Sequence, residues 1–199
     1  IAKWNGSAWF PLGSGMNGVV SALSVFDDGA GPALYAGGMF TTAGDVAANR
    51  IAKWDGSTWS ALGSGMNSEV RALLAVDDGR GPALYAGGNF QTAGGAAAGH
   101  IAKWNGSSWS ALGSGVNDWV YALADFDDGS GSALGAGGAF SSALDSLDSY
   151  IAKWGCAATP SPWTDLGFVL PGVAGTPLLV GTGPLTTGSA VRLTLANAA

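Results

Sequence analysis

The 199-residue chain is poor in charge and in the residues that most site chemistry requires. Charged residues make up 11%, against about a quarter in an average protein. Only 8 are Lys or Arg against 14 Asp or Glu, giving a net charge of −6. That balance argues against a nucleic-acid partner, because a phosphate backbone calls for clustered cations. Cys156 is the single cysteine, so no internal disulfide can form. His100 is the single histidine, and one His with one Cys cannot build an ordinary zinc or copper site. A Ser-His-Asp triad would depend on that one imidazole, and no Gly-x-Ser-x-Gly elbow occurs. No run of about 18 apolar residues exists, so neither a spanning helix nor membrane insertion is expected. No segment sustains a 3.6-residue period between caps, which leaves little helix to expect.

Glycine and tryptophan are plentiful, at 34 and 9 residues. With 47% hydrophobic residues, the chain has material for a core and is not expected to be disordered. Internal repetition organises it. Ile-Ala-Lys-Trp begins at Ile1, Ile51, Ile101 and Ile151, a period of fifty residues. Each period then carries a second Trp (Trp9, Trp59, Trp109) and Leu-Gly-Ser-Gly from Leu12, Leu62 or Leu112. Asp-Asp-Gly follows from Asp27, Asp77 or Asp127, and a Gly-Gly pair from Gly37, Gly87 or Gly137. The first two units agree at about two-thirds of positions. Near copies of one unit bury a continuous core by stacking.

Each unit reads as four short strands. Residues 20–26 alternate, Asp-Asp-Gly turns the chain, and 33–40 return with the Gly pair allowing close backbone approach. Residues 51–54 form the third strand. Asp55-Gly56, like Asn5-Gly6 and Asn105-Gly106, is a two-residue hairpin signal leading to a fourth strand at 57–62. The fold class is therefore all-β. Four strands repeating at a blade-sized fifty residues favour a β-propeller over a solenoid.

These units resemble kelch and galactose-oxidase-type blades, through the strand ending in Gly37-Gly38 and the Trp54 and Trp59 pair around a tight turn. The run from Phe26 to Phe40 and the run from Ile51 to Trp59 look closest to repeats of large secreted bacterial proteins of planctomycete type. The resemblance covers about residues 1–154 and implies four-stranded blades and a secreted or cell-surface bacterial location. It says little about activity, since propellers host many functions. Ile1 opens in mid-pattern, so the chain is expected to be a piece of a longer protein. Residues 1–167 are expected to hold the propeller repeats. Residues 168–199, with strands at 176–181 and 189–197, are a degenerate blade or the start of a C-terminal β-module. That tail either follows a partial propeller or closes a small four-bladed ring.

The candidate sites follow from the repeats. Asp27, Asp28, Asp77, Asp78, Asp127 and Asp128 offer a calcium alternative, although one such loop has too few oxygens and turn chemistry explains the residues. No other cofactor is implied. Eight of the nine tryptophans are repeat-locked and are expected to fill space between blades. Trp119 replaces Val19 and Glu69 and is the expected exposed aromatic. Lys3, Lys53, Lys103 and Lys153 are expected on blade surfaces or between blades. Gly13 to Gly18 matches Gly-x-Gly-x-x-Gly, but Ser68 and Asp118 replace the last glycine and no helix follows, so it is not a nucleotide loop. Asn5-Gly6-Ser7 and Asn105-Gly106-Ser107 fit a glycosylation acceptor that turn chemistry equally explains.

The hairpin turns are expected on one edge of the blades. The Gly-Ser-Gly-x-Asn connections and the divergent loops after Phe40, Phe90 and Phe140 are expected on the other. Variable loops over a fixed scaffold are the usual place for ligand contacts, which nominates Asn17, Asn67, Asn117, Asp118, Trp119, Gln91 and His100. The expected function is a non-enzymatic extracytoplasmic scaffold or adhesion module for glycan or protein. One alternative is a polysaccharide hydrolase or lyase using acids such as Asp118, Asp125, Asp145 or Asp148. Another is a self-assembling surface repeat, forming homo-oligomers through the unpaired half-blade at residues 1–12.

Overall fold

The computed structural model describes residues 1–78, 80–127, 132–143 and 150–154, and the backbone of 163–164. All belong to the first of two units, Ile1–Leu166 and Gly167–Ala199. The tail strands expected at 176–181 and 189–197, with Asp128, Asp145, Asp148 and Cys156, lie outside the described residues.

The described chain is all β, and no helix occurs in it. It opens with a hairpin of β1 (Ala2–Trp4) and β2 (Trp9–Pro11). The first full unit gives β3 (Val19–Asp27), β4 (Pro32–Met39), a ribbon of β5 (Thr42–Ala43) and β6 (Val46–Ala47), then β7 (Ile51–Trp54) and β8 (Trp59–Ala61). The second repeats it as β9 (Val70–Asp77), β10 (Pro82–Gly88), β11 (Thr92–Ala93), β12 (Ala96–Ala97), β13 (Ile101–Trp104) and β14 (Trp109–Ala111). The third contributes β15 (Val120–Asp127), β16 (Ser132–Gly138), β17 (Ile151–Trp154) and β18 (Trp163–Thr164). Each unit builds one open four-stranded antiparallel sheet, in the orders β3-β4-β7-β8, β9-β10-β13-β14 and β15-β16-β17-β18. Among the described residues no sheet closes on itself.

Successive sheets stack. β9 packs against β3 and β4 on one side and against β15 on the other. Three apolar clusters fill the spaces. Tyr35 and Ile51 of the first sheet meet Val70 and Leu84 of the second. Tyr85 and Ile101 of the second meet Val120 and Leu134 of the third. Leu12 from the opening hairpin packs with Ala36, Ala52 and Trp59. The Gly-Gly pair makes this approach possible by two separate means. A Cβ on Gly37 would stand 2.5 Å from Val70 Cγ1, and one on Gly87 would stand 2.5 Å from Val120 Cγ1, each in the next sheet. A Cβ on Gly38 or Gly88 would instead strike the carbonyl oxygen of Val19 or Glu69 inside its own sheet, where a bulge shifts the register.

Trp59, Trp104 and Trp154 are buried, and the Trp59 and Trp109 indole N–H groups donate to the carbonyls of Leu12 and Leu62 one unit back. In the opening hairpin Trp4 and Trp9 remain exposed.

Two local expectations need correction. The Asn/Asp-Gly turns are four-residue loops closed by Trp pairs, such as Trp54 opposite Trp59, rather than two-residue hairpins. Asp55 Oδ1 accepts from the backbone N–H of Ser57 and Thr58, both at 2.8 Å, and so shapes the longer loop itself. The segments after Phe40 and Phe90, read from sequence simply as loops, also contain the ribbons β5-β6 and β11-β12.

Candidate functional site

The strand registers define two edges. At one edge lie the hairpin turns, where Asp27, Asp28 and Gly29 of the first unit and Asn105 of the second border a hollow of about 420 Å³. Their carboxylates are already engaged. Asp27 Oδ1 accepts from the N–H groups of Gly29 at 2.9 Å and Gly31 at 3.0 Å. Asp77 Oδ1 does the same for Gly81 at 2.9 Å. Asp28 pairs with Lys53 and accepts from the Tyr35 hydroxyl at 2.9 Å. Asp78, only 2% exposed, pairs with Lys103 at 3.0 Å.

Lys53 and Lys103 are therefore not loose surface groups, whereas Lys3 is exposed. Lys53 stands opposite Tyr35 in the β4–β7 register, Lys103 opposite Tyr85, and each closes an Asp–Lys pair within its own sheet. Burial opposes ionisation of Asp28 and Asp78, but the neighbouring tyrosine hydroxyl and lysine ammonium outweigh it and hold both carboxyls below their usual value. Burial, with the adjacent carboxylate, raises both tyrosines. A cation at Asp28 or Asp78 would have to displace a lysine. Among the described residues no three His, Cys, Asp or Glu side chains gather into a metal-sized group.

The opposite edge carries the connections and the loops after Phe40 and Phe90, brought together as expected. Asn17, Asn67 and Asn117 are the clamps between them. Asn17 Oδ1 accepts from the N–H groups of Thr41 at 2.8 Å and Thr42 at 2.9 Å. Asn67 holds Gln91 at 2.9 Å and Thr92 at 3.0 Å, while Asn117 holds Ser141 and Ser142, both at 3.0 Å. The amide oxygens nominated for a ligand thus bind the protein's own backbone. Gln91 is exposed beside its clamp. Between the first two units, Asn49, Arg50, Ser64, Asn67, Thr92 and Gly95 border a polar hollow of about 300 Å³.

His100 is 6% exposed, not displayed on a loop. It shares an unusual backbone state with its equivalents: Arg50, His100 and Tyr150 have φ of 66°, 67° and 66°. Large side chains at positive φ carry a conformational cost that concentrates at functional sites. Two backbone hydrogen bonds fix the state, as in Arg50 N–H to the Phe40 carbonyl and Gly38 N–H to the Arg50 carbonyl, both 2.9 Å. Burial lowers the His100 pKa against weaker raising influences of the Gly88 backbone and the Asp118 carboxylate. Arg50 Nε and His100 Nδ1 are both buried without a hydrogen-bond partner.

Where the first strands begin, the structure gathers residues that sequence reasoning mostly passed over. Glu69 Oε2 pairs with Arg71 Nη2 at 2.8 Å, and Ser21 Oγ donates to Glu69 Oε1 at 3.2 Å, joining the first two sheets. The Arg71 guanidinium lies 5.1 Å from the Trp119 ring centre and 5.3 Å from that of Tyr121, reaching the third sheet. Trp119 and Tyr121 stand edge to face at 6.3 Å. Trp119 is half-buried rather than exposed because this guanidinium lies across it, and Tyr121 is the exposed ring of the pair. Arg71 Nε is also buried without a partner. The signal was present in the repeat: positions 19, 69 and 119 read Val, Glu, Trp, and positions 21, 71 and 121 read Ser, Arg, Tyr.

Asp125 lies on β15, whereas Asp118 lies in the connection before it. Compared with family models, with curated proteins and with solved structures, the chain matches none.

Proposed function

We propose that the chain is a segment of a kelch-like β-propeller in an extracytoplasmic protein, a non-enzymatic module that binds glycan or protein at the edge bearing the connections. Consecutive four-stranded antiparallel sheets, stacked with their first strands side by side, support the propeller reading. Low charge and abundant Gly, Ser and Trp support the extracytoplasmic one. One observation carries the choice of edge. Near-identical repeats change chemical class at the strand starts and at the left-handed positions, and the same edge holds three buried side-chain nitrogens without partners. Packing alone needs no such divergence, whereas recognition does.

The test is to screen the chain against saccharide and protein arrays beside two variants. Binding should disappear in Arg71→Ala and persist in Asn105→Ala on the opposite edge. Binding that follows Asn105 instead, or breakdown of a polysaccharide during the screen, overturns the reading.

A further inference from the structure

The cluster at the first-strand starts has the chemistry of a sugar subsite. Resting on the module reading above, we propose that Glu69, Arg71, Asp118, Trp119 and Tyr121 bind a neutral saccharide.

Charge selects neutrality. The Arg71 guanidinium is already compensated by Glu69 at 2.8 Å, and Asp118 adds a second carboxylate beside Trp119 in a chain of net charge −6. An anionic sugar would meet two carboxylates and no uncompensated cation. A cationic ligand would find the Trp119 and Tyr121 rings already approached by Arg71.

Hydrogen bonding selects hydroxyl groups. The Arg71 side chain is 35% exposed, and Glu69 engages Nη2 alone among its guanidinium nitrogens. Asp118 Oδ1 accepts from the Trp119 N–H at 2.8 Å, and Oδ2 makes no hydrogen bond among the described residues. The Glu69 carboxylate accepts from Ser21 and pairs with Arg71, which leaves it further lone pairs. A sugar hydroxyl both donates and accepts, so two vicinal hydroxyls can accept a hydrogen bond from the guanidinium and donate one to a carboxylate. An acceptor-only or donor-only ligand satisfies one side and leaves the other bare.

The aromatic pair supplies the third requirement. Tyr121 is 47% exposed and stands edge to face with Trp119, presenting an apolar surface to the C–H face of a pyranose ring. A few converging polar groups beside an aromatic surface are the usual composition of a small-molecule site.

Calorimetric titration of the chain decides this, using neutral hexasaccharides of the gluco, manno and galacto series and an oligogalacturonide of equal length. One neutral series should bind, and Tyr121→Ala and Glu69→Gln should each weaken it by about tenfold or more without lowering the melting temperature. The oligogalacturonide should bind about tenfold more weakly than that series. A preference for the oligogalacturonide overturns the assignment. So does neutral binding that both variants leave intact, in which case the edge binds through other residues and the module reading stands. A wild-type chain that binds no saccharide also overturns it and leaves the module reading to its protein ligands.

Discussion

Asp78 shows how one repeated residue can look like a ligand in the sequence and be a fastener in the structure. Its carboxylate is 2% exposed, and the Lys103 ammonium reaches it from 25 residues away at 3.0 Å. An ionised group so buried is tolerable only with its partner in place. Lys103→Met should therefore cost about 2–3 kcal/mol at pH 7, below the range for fully buried pairs because the lysine keeps some contact with water. The pH dependence has a definite sign. The folded carboxyl is held below its unfolded value, so its contribution is complete above about pH 4 and fades as the pH falls through the folded value. Urea unfolding between pH 7 and pH 3 should show the Lys103→Met penalty shrinking in acid, and Asp78→Asn should flatten the acid limb. An equal penalty at both pH values would mean that Lys103 acts by packing, not by charge. The sequence displayed all three partners at fixed spacing, Asp78, Tyr85 and Lys103. Nothing in a linear pattern says that a turn, a second strand and a third strand meet at one point.

At the scale of elements, the Gly-Gly pair was legible as a site of close approach, but not that its two members serve different neighbours. Gly87 makes room for a side chain of the next sheet, and Gly88 for a carbonyl of its own. The consequences separate on mutation. Gly87→Ala should destabilise by about 1–3 kcal/mol, and Val120→Ala in the same chain should recover part of that loss by removing the opposing methyls. Gly88→Ala should cost more, and trimming Val120 should not relieve it, because backbone must move. Chemical denaturation of the two singles and the two doubles reads this directly, and rescue of Gly88→Ala by Val120→Ala would refute the division. The main strands were legible because they alternate and end in turn residues. The ribbons were not, since pairs such as Ala96–Ala97 carry no period and owe their pairing to Asn67 and its equivalents clamping the loop. The edge where the connections meet the loops after Phe40 and Phe90 was legible in the repeat. Its inner cluster was not, because Glu69 and Arg71 stand where a strand begins and a repeat comparison for core residues passes over them.

For the molecule as a whole, identical tetrapeptides provide a measure of where stability resides. Ile51, Ile101 and Ile151 occupy the same place in sheets of the same design, each opposite the first glycine of its pair: Gly37, Gly87 and Gly137. Ile51 and Ile101 are 0% exposed, packed in clusters that include Val70 and Val120 from the following unit. Ile151 is 40% exposed and belongs to none of the three clusters. If each sheet were stable by itself, the three isoleucines would be equivalent. In a stack the free energy lies largely in the junctions, as it does wherever each repeat touches only its neighbours. Ile101→Ala should then cost about 2–5 kcal/mol, as expected for a fully buried aliphatic side chain. Ile151→Ala should cost under about 1 kcal/mol, as expected for a side chain that is 40% exposed. Urea denaturation of both variants under one set of conditions makes the comparison. Equal losses would place the stability within the individual sheets, and the stacked arrangement would then be a consequence of linkage, not the source of the fold.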